Sequence, residues 1–180
     1  MYGEQFEKSA VERGEYENCI FRHCDLSESN LSQSKFIDCV FESCNLSMCK
    51  LDGTTFQEVR FQDCKLLGLR FDTADAFGFS ISAHACQLQH ASFFKVRLRK
   101  VLFDHCQLQG ADFGEADLTE AVFNHCDLRD AIFDRTVLEK ADFRTAGGYS
   151  IDPERNKMKK ARFSVQNLAG LLDKYGLNLT

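Results

Sequence analysis

Large apolar residues recur at every fifth position through most of this chain. They fall at Tyr16, Phe21, Leu26, Leu31, Phe36, Phe41, Leu46, Leu51, Phe56, Phe61, Leu66 and Phe71. After a break the beat resumes at Leu88, Phe93, Leu98, Phe103, Leu108, Phe113, Leu118, Phe123, Leu128, Phe133, Leu138 and Phe143. Two positions before each there is usually a small or modest residue, such as Ala91, Ala111, Ala116, Ala121, Ala131 or Ala141, or a cysteine. A slower rhythm lies over this one. Cys24-Asp25-Leu26 returns at Cys44, Cys64, Cys86, Cys106 and Cys126, in steps of 20, 20, 22, 20 and 20 residues. A period near 20 marks one point on successive turns of a solenoid, with four five-residue units to the turn.

Stacking by the period gives four internal columns in which like sits on like. One carries Tyr16, Phe36 and Phe56, the next Phe21, Phe41 and Phe61. Another carries Leu26, Leu46 and Leu66, and the last Leu31, Leu51 and Phe71. Such columns fill a tube with no room to spare. An irregular first turn is expected around Phe6 and Val11. Between Phe71 and Leu88 the spacing is two residues longer than the beat allows, so a two-residue insertion lies within 76–83. Ala76 and Ala83 are expected at the weak column positions. Phe77, Phe79 and Ile81 then have two readings: they refill the underfilled core, or they form an aromatic protrusion that touches a partner.

Residues 144–162 lose the beat, and Gly147-Gly148-Tyr149-Ser150-Ile151-Asp152-Pro153 reads as loop. Phe163 re-enters 20 residues after Phe143, so the loop replaces most of one turn and returns the chain in register. The tube is thus assigned to 1–163. In 164–180 the period changes: Val165, Leu168, Leu171, Leu172 and Tyr175 have helical spacing. Ser164 is the expected N-cap and Gly176 the expected stop of a short α-helix. A solenoid needs its apolar end covered. Leu168, Leu171, Leu172, Tyr175, Leu177 and Leu179 offer more apolar surface than one cap needs, so a homodimer through this segment is expected.

Composition narrows the function. No apolar run is long enough to span a membrane, and the N-terminus lacks a signal-peptide pattern, so a cytoplasmic protein with no membrane partner is expected. All nine cysteines sit two before an apolar centre, which favours reduced, inward-facing thiols over a disulfide framework. Net charge is −5, which argues against nucleic acid as a partner. His23, His105 and His125 share a column and each precedes a cysteine, which raises a metal-site reading. Adjacent residues in this repeat point to opposite sides, so imidazole and thiol cannot converge, and no metal is expected. No cofactor motif, catalytic cleft or exposed nucleophilic cysteine is legible, and a non-enzyme is expected. A six-residue left-handed β-helix is excluded by the five-residue beat.

Units such as Ala111-Asp112-Phe113-Gly114-Glu115 and Ala116-Asp117-Leu118-Thr119-Glu120 resemble the pentapeptide repeat, over roughly Phe6 to Phe163. The resemblance implies an all-β, right-handed quadrilateral β-helix, here with a short C-terminal α-helix. Neighbouring turns would lie ~4.8 Å apart, so about eight turns make a rod on the order of 40 Å long. The short insertion, the stretch Gly148 to Asn156 and the ending Leu171-Leu172-Asp173-Lys174-Tyr175-Gly176-Leu177 resemble the topoisomerase-protecting branch, with its microcin-immunity and Qnr-type quinolone-resistance members. That branch implies an acidic dimer that mimics duplex DNA in the binding saddle of gyrase or topoisomerase IV. The two-residue insertion departs from the long loops of Qnr-type proteins.

A mimic needs acidic faces. Asp112, Glu115, Asp117, Glu120, Asp127, Asp130 and Asp134 stand against Arg129 alone in 111–134, and form the candidate partner-binding face. Phe77 and Phe79 are the candidate contacts of the insertion. Stacking arithmetic tempers the acidic face: Lys95, Glu115 and Arg135 share an outward column, as do Lys100, Glu120 and Lys140. Alternating signs across strands are ordinary sheet stabilisation of ~0.2–1 kcal/mol per pair. An interaction rod with an unrelated partner is the other reading.

Overall fold

A computed structural model describes residues 3–7 and 11–178. The chain winds as a parallel, right-handed β-helix with the repeated apolar residues inside. Each of its four sides is centred on one column. The first side is centred on Tyr16, Phe36 and Phe56, then Leu98, Leu118 and Leu138. The second carries Phe21, Phe41, Phe61, Ala83, Phe103, Phe123 and Phe143, the third Leu26 to Leu128, and the fourth Leu31 to Phe133.

The second side is a seven-stranded parallel sheet running from Gln5–Glu7 to Val122–Asn124, in which Phe21 pairs with Phe41 and Phe41 with Phe61. The first side has a three-stranded sheet of Glu15–Glu17, Lys35–Ile37 and Thr55–Gln57. Elsewhere the rungs meet through single parallel bridges, as in Asp25 to Asn45 to Lys65 to Gln87. Rings stack through the tube: Phe21 lies 4.5 Å from Phe41, and Phe93 lies 5.2 Å from Phe113 at an interplanar angle of 3°.

The modest residue two before each centre has a second task. Cys44 Sγ donates to Phe21 O at 3.3 Å, Thr54 Oγ1 to Leu31 O at 2.8 Å and Thr136 Oγ1 to Phe113 O at 2.9 Å. Each satisfies a buried carbonyl on the rung below, which is why Cys and Thr alternate with Ala there. All nine cysteines are free and buried. Burial pushes the Cys39 thiol up to about 11 and the Cys49 thiol up to about 12. The residue two after most centres turns the corner with positive φ, as at His23, Asp38, Glu58 and His105. For a non-glycine residue this costs ~1–2 kcal/mol, which the ladder of backbone hydrogen bonds offsets.

Three expectations change. At the insertion, Ala76 is exposed and does not enter its column; Phe79 packs there instead, 6.1 Å from both Phe56 and Phe71. Ala83 does hold its place, paired with Phe61 and Phe103. The extra residues are absorbed between Thr73 and Ile81, and the register shifts from Phe61 to Ala83 and then returns to 20 at Phe103. Secondly, the loop is shorter than 144–162. Gly147 pairs with Asp127, Lys157 with Val137 and Arg162 with Asp142, so the winding continues. Tyr149, Ile151 and Asn156 are buried, and the Asn156 amide donates to Phe133 O at 3.0 Å and Asp152 O at 2.9 Å. The amide does the work of the missing strand, which no apolar beat could signal.

Thirdly, the C-terminal helix forms as two 3-10 stretches, Val165–Leu171 and Asp173–Tyr175. Ser164 sits at the N-cap without a side-chain capping bond, whereas Gly176 stops the second stretch at φ 59. Leu171 packs against the core cluster, Asn167 donates its amide to Ala146 O at 2.9 Å and Ile151 N donates to Gly170 O at 2.8 Å. The tail is therefore fastened to the end of the tube. No helix among the described residues is long and apolar enough to cross a membrane.

Candidate functional site

Winding distributes the acid-rich stretch over three sides. Asp117 and Glu120 lie on the first side, Asp127 and Asp130 on the third, and Asp112, Glu115 and Asp134 on the fourth. Three of these acids build the backbone. Asp112 Oδ1 accepts from Gly114 N at 2.8 Å, Asp117 Oδ1 from Thr119 N at 3.1 Å and Asp127 Oδ1 from Arg129 N at 3.1 Å. Each closes a turn within its five-residue unit, which explains an Asp just before the apolar centre without reference to a partner.

Most of the others are neutralised at home. Glu115 lies between Arg135 at 2.8 Å and Lys95 at 3.6 Å, and Glu120 meets Lys140 at 2.9 Å. Arg99 reaches Asp117 at 2.6 Å, Arg129 reaches Asp127 at 2.7 Å and Arg155 reaches Asp134 at 2.6 Å. Lys140 accordingly holds the Glu120 carboxyl below the usual range, and Arg129 does so for Asp127. Among the described residues, Asp112 and Asp130 are the members of the run without an ion pair.

Acids without a described cation partner gather in the earlier turns. Glu17, Asp38 and Glu58 lie on the first side, with Glu58 accepting from Ser80 Oγ at 2.9 Å. Beyond the insertion that side becomes basic, with Arg97, Arg99 and Lys100, and later the exposed Lys157, Lys159 and Lys160. Phe77 stands at the boundary, 81% exposed, while Phe79 is half-buried. The two readings of the insertion therefore divide between neighbours: Phe79 refills the core and Phe77 protrudes.

The tail presents a second surface. Leu168, Leu172, Tyr175 and Leu177 are exposed, and Leu171 is turned to the tube. Leu179 lies outside the described residues. Lys174 binds Asp152 at 2.7 Å and Glu154 at 2.8 Å, and Tyr175 OH donates to Glu154 at 3.2 Å, so the 148–156 segment and the tail hold each other.

On the second side a histidine cluster forms that the sequence reasoning did not assemble. Asp104 lies directly above His84, with Asn124 on the next rung. His84 Nδ1 is 2.7 Å and His105 Nδ1 2.9 Å from the Asp104 carboxylate, while Asn124 Nδ2 donates to it at 2.5 Å. The Asn124 amide foremost, then His84 and His105, hold the Asp104 carboxyl below its usual range. His125 lies over His105 with ring centroids 4.9 Å apart. The plain 20-residue period sets His84 beneath Asp104, but only histidines that precede a cysteine were followed in the sequence, and His84 is not one of them.

The pentapeptide repeat region family matches residues 15–93, and the pentapeptide repeats family, defined by eight copies, matches 84–119 and 111–146. No curated protein sequence is significantly similar to the chain. Among solved structures, two trypsin-treated variants of QnrB1, a plasmid-mediated fluoroquinolone resistance protein, align with all of this chain and 97% of theirs. Their identities are 22% and 21%, with TM-scores of 0.52 and 0.51. HetL, a pentapeptide repeat protein involved in heterocyst differentiation regulation in the cyanobacterium Nostoc, aligns at 18% identity. That match covers 90% of this chain and 84% of HetL, with a TM-score of 0.46. At these identities the likeness is one of fold.

Proposed function

The chain belongs to the pentapeptide repeat family, and on that premise we propose that it is a non-catalytic binding protein that shields a type II topoisomerase, DNA gyrase or topoisomerase IV, from a fluoroquinolone or a toxin. It acts as a homodimer in the cytoplasm and occupies the basic surface on which the enzyme holds DNA. The observation that carries this reading is the end-to-end correspondence, tail included, with a fluoroquinolone resistance protein.

The acids that meet the enzyme are those with no cation partner among the described residues, namely Glu17, Asp38 and Glu58 in the earlier turns and Asp112 and Asp130 from the later run. Glu115, Asp117, Glu120, Asp127 and Asp134 contribute less, because each is neutralised within this chain. An acid already paired offers little net field to a distant cation. Phe77 supplies an apolar contact. Leu168, Leu172, Tyr175 and Leu177 join the two copies, and Leu171 and Lys174 fasten each tail to its own tube. Leu172→Glu is then expected to run as a monomer on a sizing column.

The local neutralisation of the acid-rich turns favours a second reading, an interaction rod whose partner is not a DNA-binding surface. Titrating the protein into gyrase supercoiling and fluoroquinolone-stabilised cleavage assays separates the two. Relief of cleavage at low protein, or inhibited supercoiling at higher protein, supports protection. No effect on gyrase or topoisomerase IV at micromolar protein leaves the rod and removes the topoisomerase.

A further inference from the structure

We propose that His84, Asp104 and His105 form a binding site for a divalent transition metal, zinc in the first place, on the second side of the solenoid. One ligand atom from each lies within 4.8 Å of the others. The set is two imidazoles and one carboxylate, the donor type of three-ligand zinc sites that keep a further position open.

Rejection of a histidine-cysteine pair still stands, because the thiols face the core. The ligands converge instead across neighbouring rungs. His84 belongs to one strand, and Asp104 with His105 to the next, so the β-ladder fixes their separation. Both imidazoles direct Nδ1 at the same carboxylate, at 2.7 and 2.9 Å. A tetrahedral metal with bonds of ~2.0–2.2 Å holds its ligands roughly 3.4 Å apart, so the two imidazole nitrogens draw back from the carboxylate by about 0.5–0.7 Å to admit it. His84 and His105 are 53% and 57% exposed, and can make that adjustment. Asp104 is 21% exposed and held by Asn124, which keeps the carboxylate in place. A water supplies the fourth ligand, while Asn124 keeps its hold on the carboxylate.

Each neutral imidazole must free Nδ1. Its proton leaves that nitrogen to solvent and another is taken up on Nε2, so the tautomer changes and no net proton is released. The metal then replaces two hydrogen bonds with three coordinate bonds and ties the rung of His84 to the rung of Asp104. This joint lies immediately after the insertion, where the register has just changed by two residues.

Cobalt(II) titrated into the reduced, folded full-length chain tests the site, because its visible bands report the ligand set. The expected result is saturation at one ion per chain with nitrogen and oxygen ligation, reversed by added zinc. His84→Ala and Asp104→Asn are each expected to weaken binding by at least about tenfold. His23→Ala and His90→Ala leave it unchanged. Circular dichroism confirms that each variant is folded, and His84→Gln replaces His84→Ala if the latter is not. No saturable binding, an intense thiolate charge-transfer band, or wild-type affinity in a folded His84 and a folded Asp104 variant would each overturn the proposal.

Discussion

Before the insertion the first side of the solenoid shows Glu15, Glu17, Asp38 and Glu58 to solvent; after it the same side shows Arg97, Arg99, Lys100, Lys157, Lys159 and Lys160. Lys35 offsets Glu15 in the first group, at 2.6 Å, and Asp117 offsets Arg99 in the second, also at 2.6 Å. Inside, the two halves are built alike, with stacked rings and close small residues on a 20-residue register on either side of the insertion. The difference teaches that charge density along the chain is a poor guide to the field around a solenoid. Residues 111–134 look acidic in a row, yet winding sends them to three sides and sets a cation from a neighbouring turn beside most of them. The earlier turns look mixed in a row and carry Glu17, Asp38 and Glu58, which have no cation partner among the described residues.

If the halves differ only outside, removing a ring from either should cost alike. Phe36→Ala and Phe113→Ala are each expected to destabilise by ~3–5 kcal/mol, in one cooperative denaturant transition. Two separate transitions, or a loss confined to one variant, would show that the halves fold independently. A smaller effect is expected at the far end. A Cβ on Gly170 would run into Tyr149 O. Gly170→Ala should therefore lift the tail from the tube, at about 1–3 kcal/mol, with new protease cleavage near Lys174 and loss of the proposed dimer. At the boundary between the halves, Phe79→Ala should lower the denaturation midpoint, whereas Phe77→Ala should stay within ~0.5 kcal/mol of the wild type. Equal losses would undo the division of roles between them.

The smallest effect concerns pH. Asn124 chiefly depresses Asp104, Arg129 depresses Asp127, Arg144 depresses Asp142 and Lys174 depresses Asp152. A carboxyl depressed in the folded state stabilises it above the unfolded value and loses that contribution as pH falls through the folded value. Melting temperature should thus be flat from neutrality down to about pH 5 and decline below the ordinary aspartate value of ~3.9. These pairs are largely exposed, so the decline should be shallow and reduced further by salt.

The tube itself was legible because its period is short and its core positions tolerate few residue types. Position in the five-residue unit even foretold the ladders of Lys95, Glu115 and Arg135 and of Glu120 with Lys140. The misses have physical causes. Ala76 satisfied the small-residue rule, yet Phe79 offers far more apolar area to the same gap. Asn156 closes the 148–156 segment through its amide, a contact with no periodic signature. The spacing of Val165, Leu168, Leu171 and Leu172 suits 3-10 turns as well as an α-helix at this length. The turn-closing role of Asp112, Asp117 and Asp127 was hidden because an aspartate that accepts a backbone hydrogen bond reads the same in sequence as one that faces a partner.

The most direct measurement is fluoroquinolone-stabilised DNA cleavage by gyrase, titrated with the wild type and two paired variants. One carries Asp38→Asn with Glu58→Gln, and the other Glu115→Gln with Glu120→Gln. The wild type should relieve cleavage, the first variant should need about tenfold more protein for the same relief, and the second should match the wild type. A wild type without effect, or a loss that follows Glu115 and Glu120 instead, would contradict the placement of the binding face on the unpaired acids of the earlier turns.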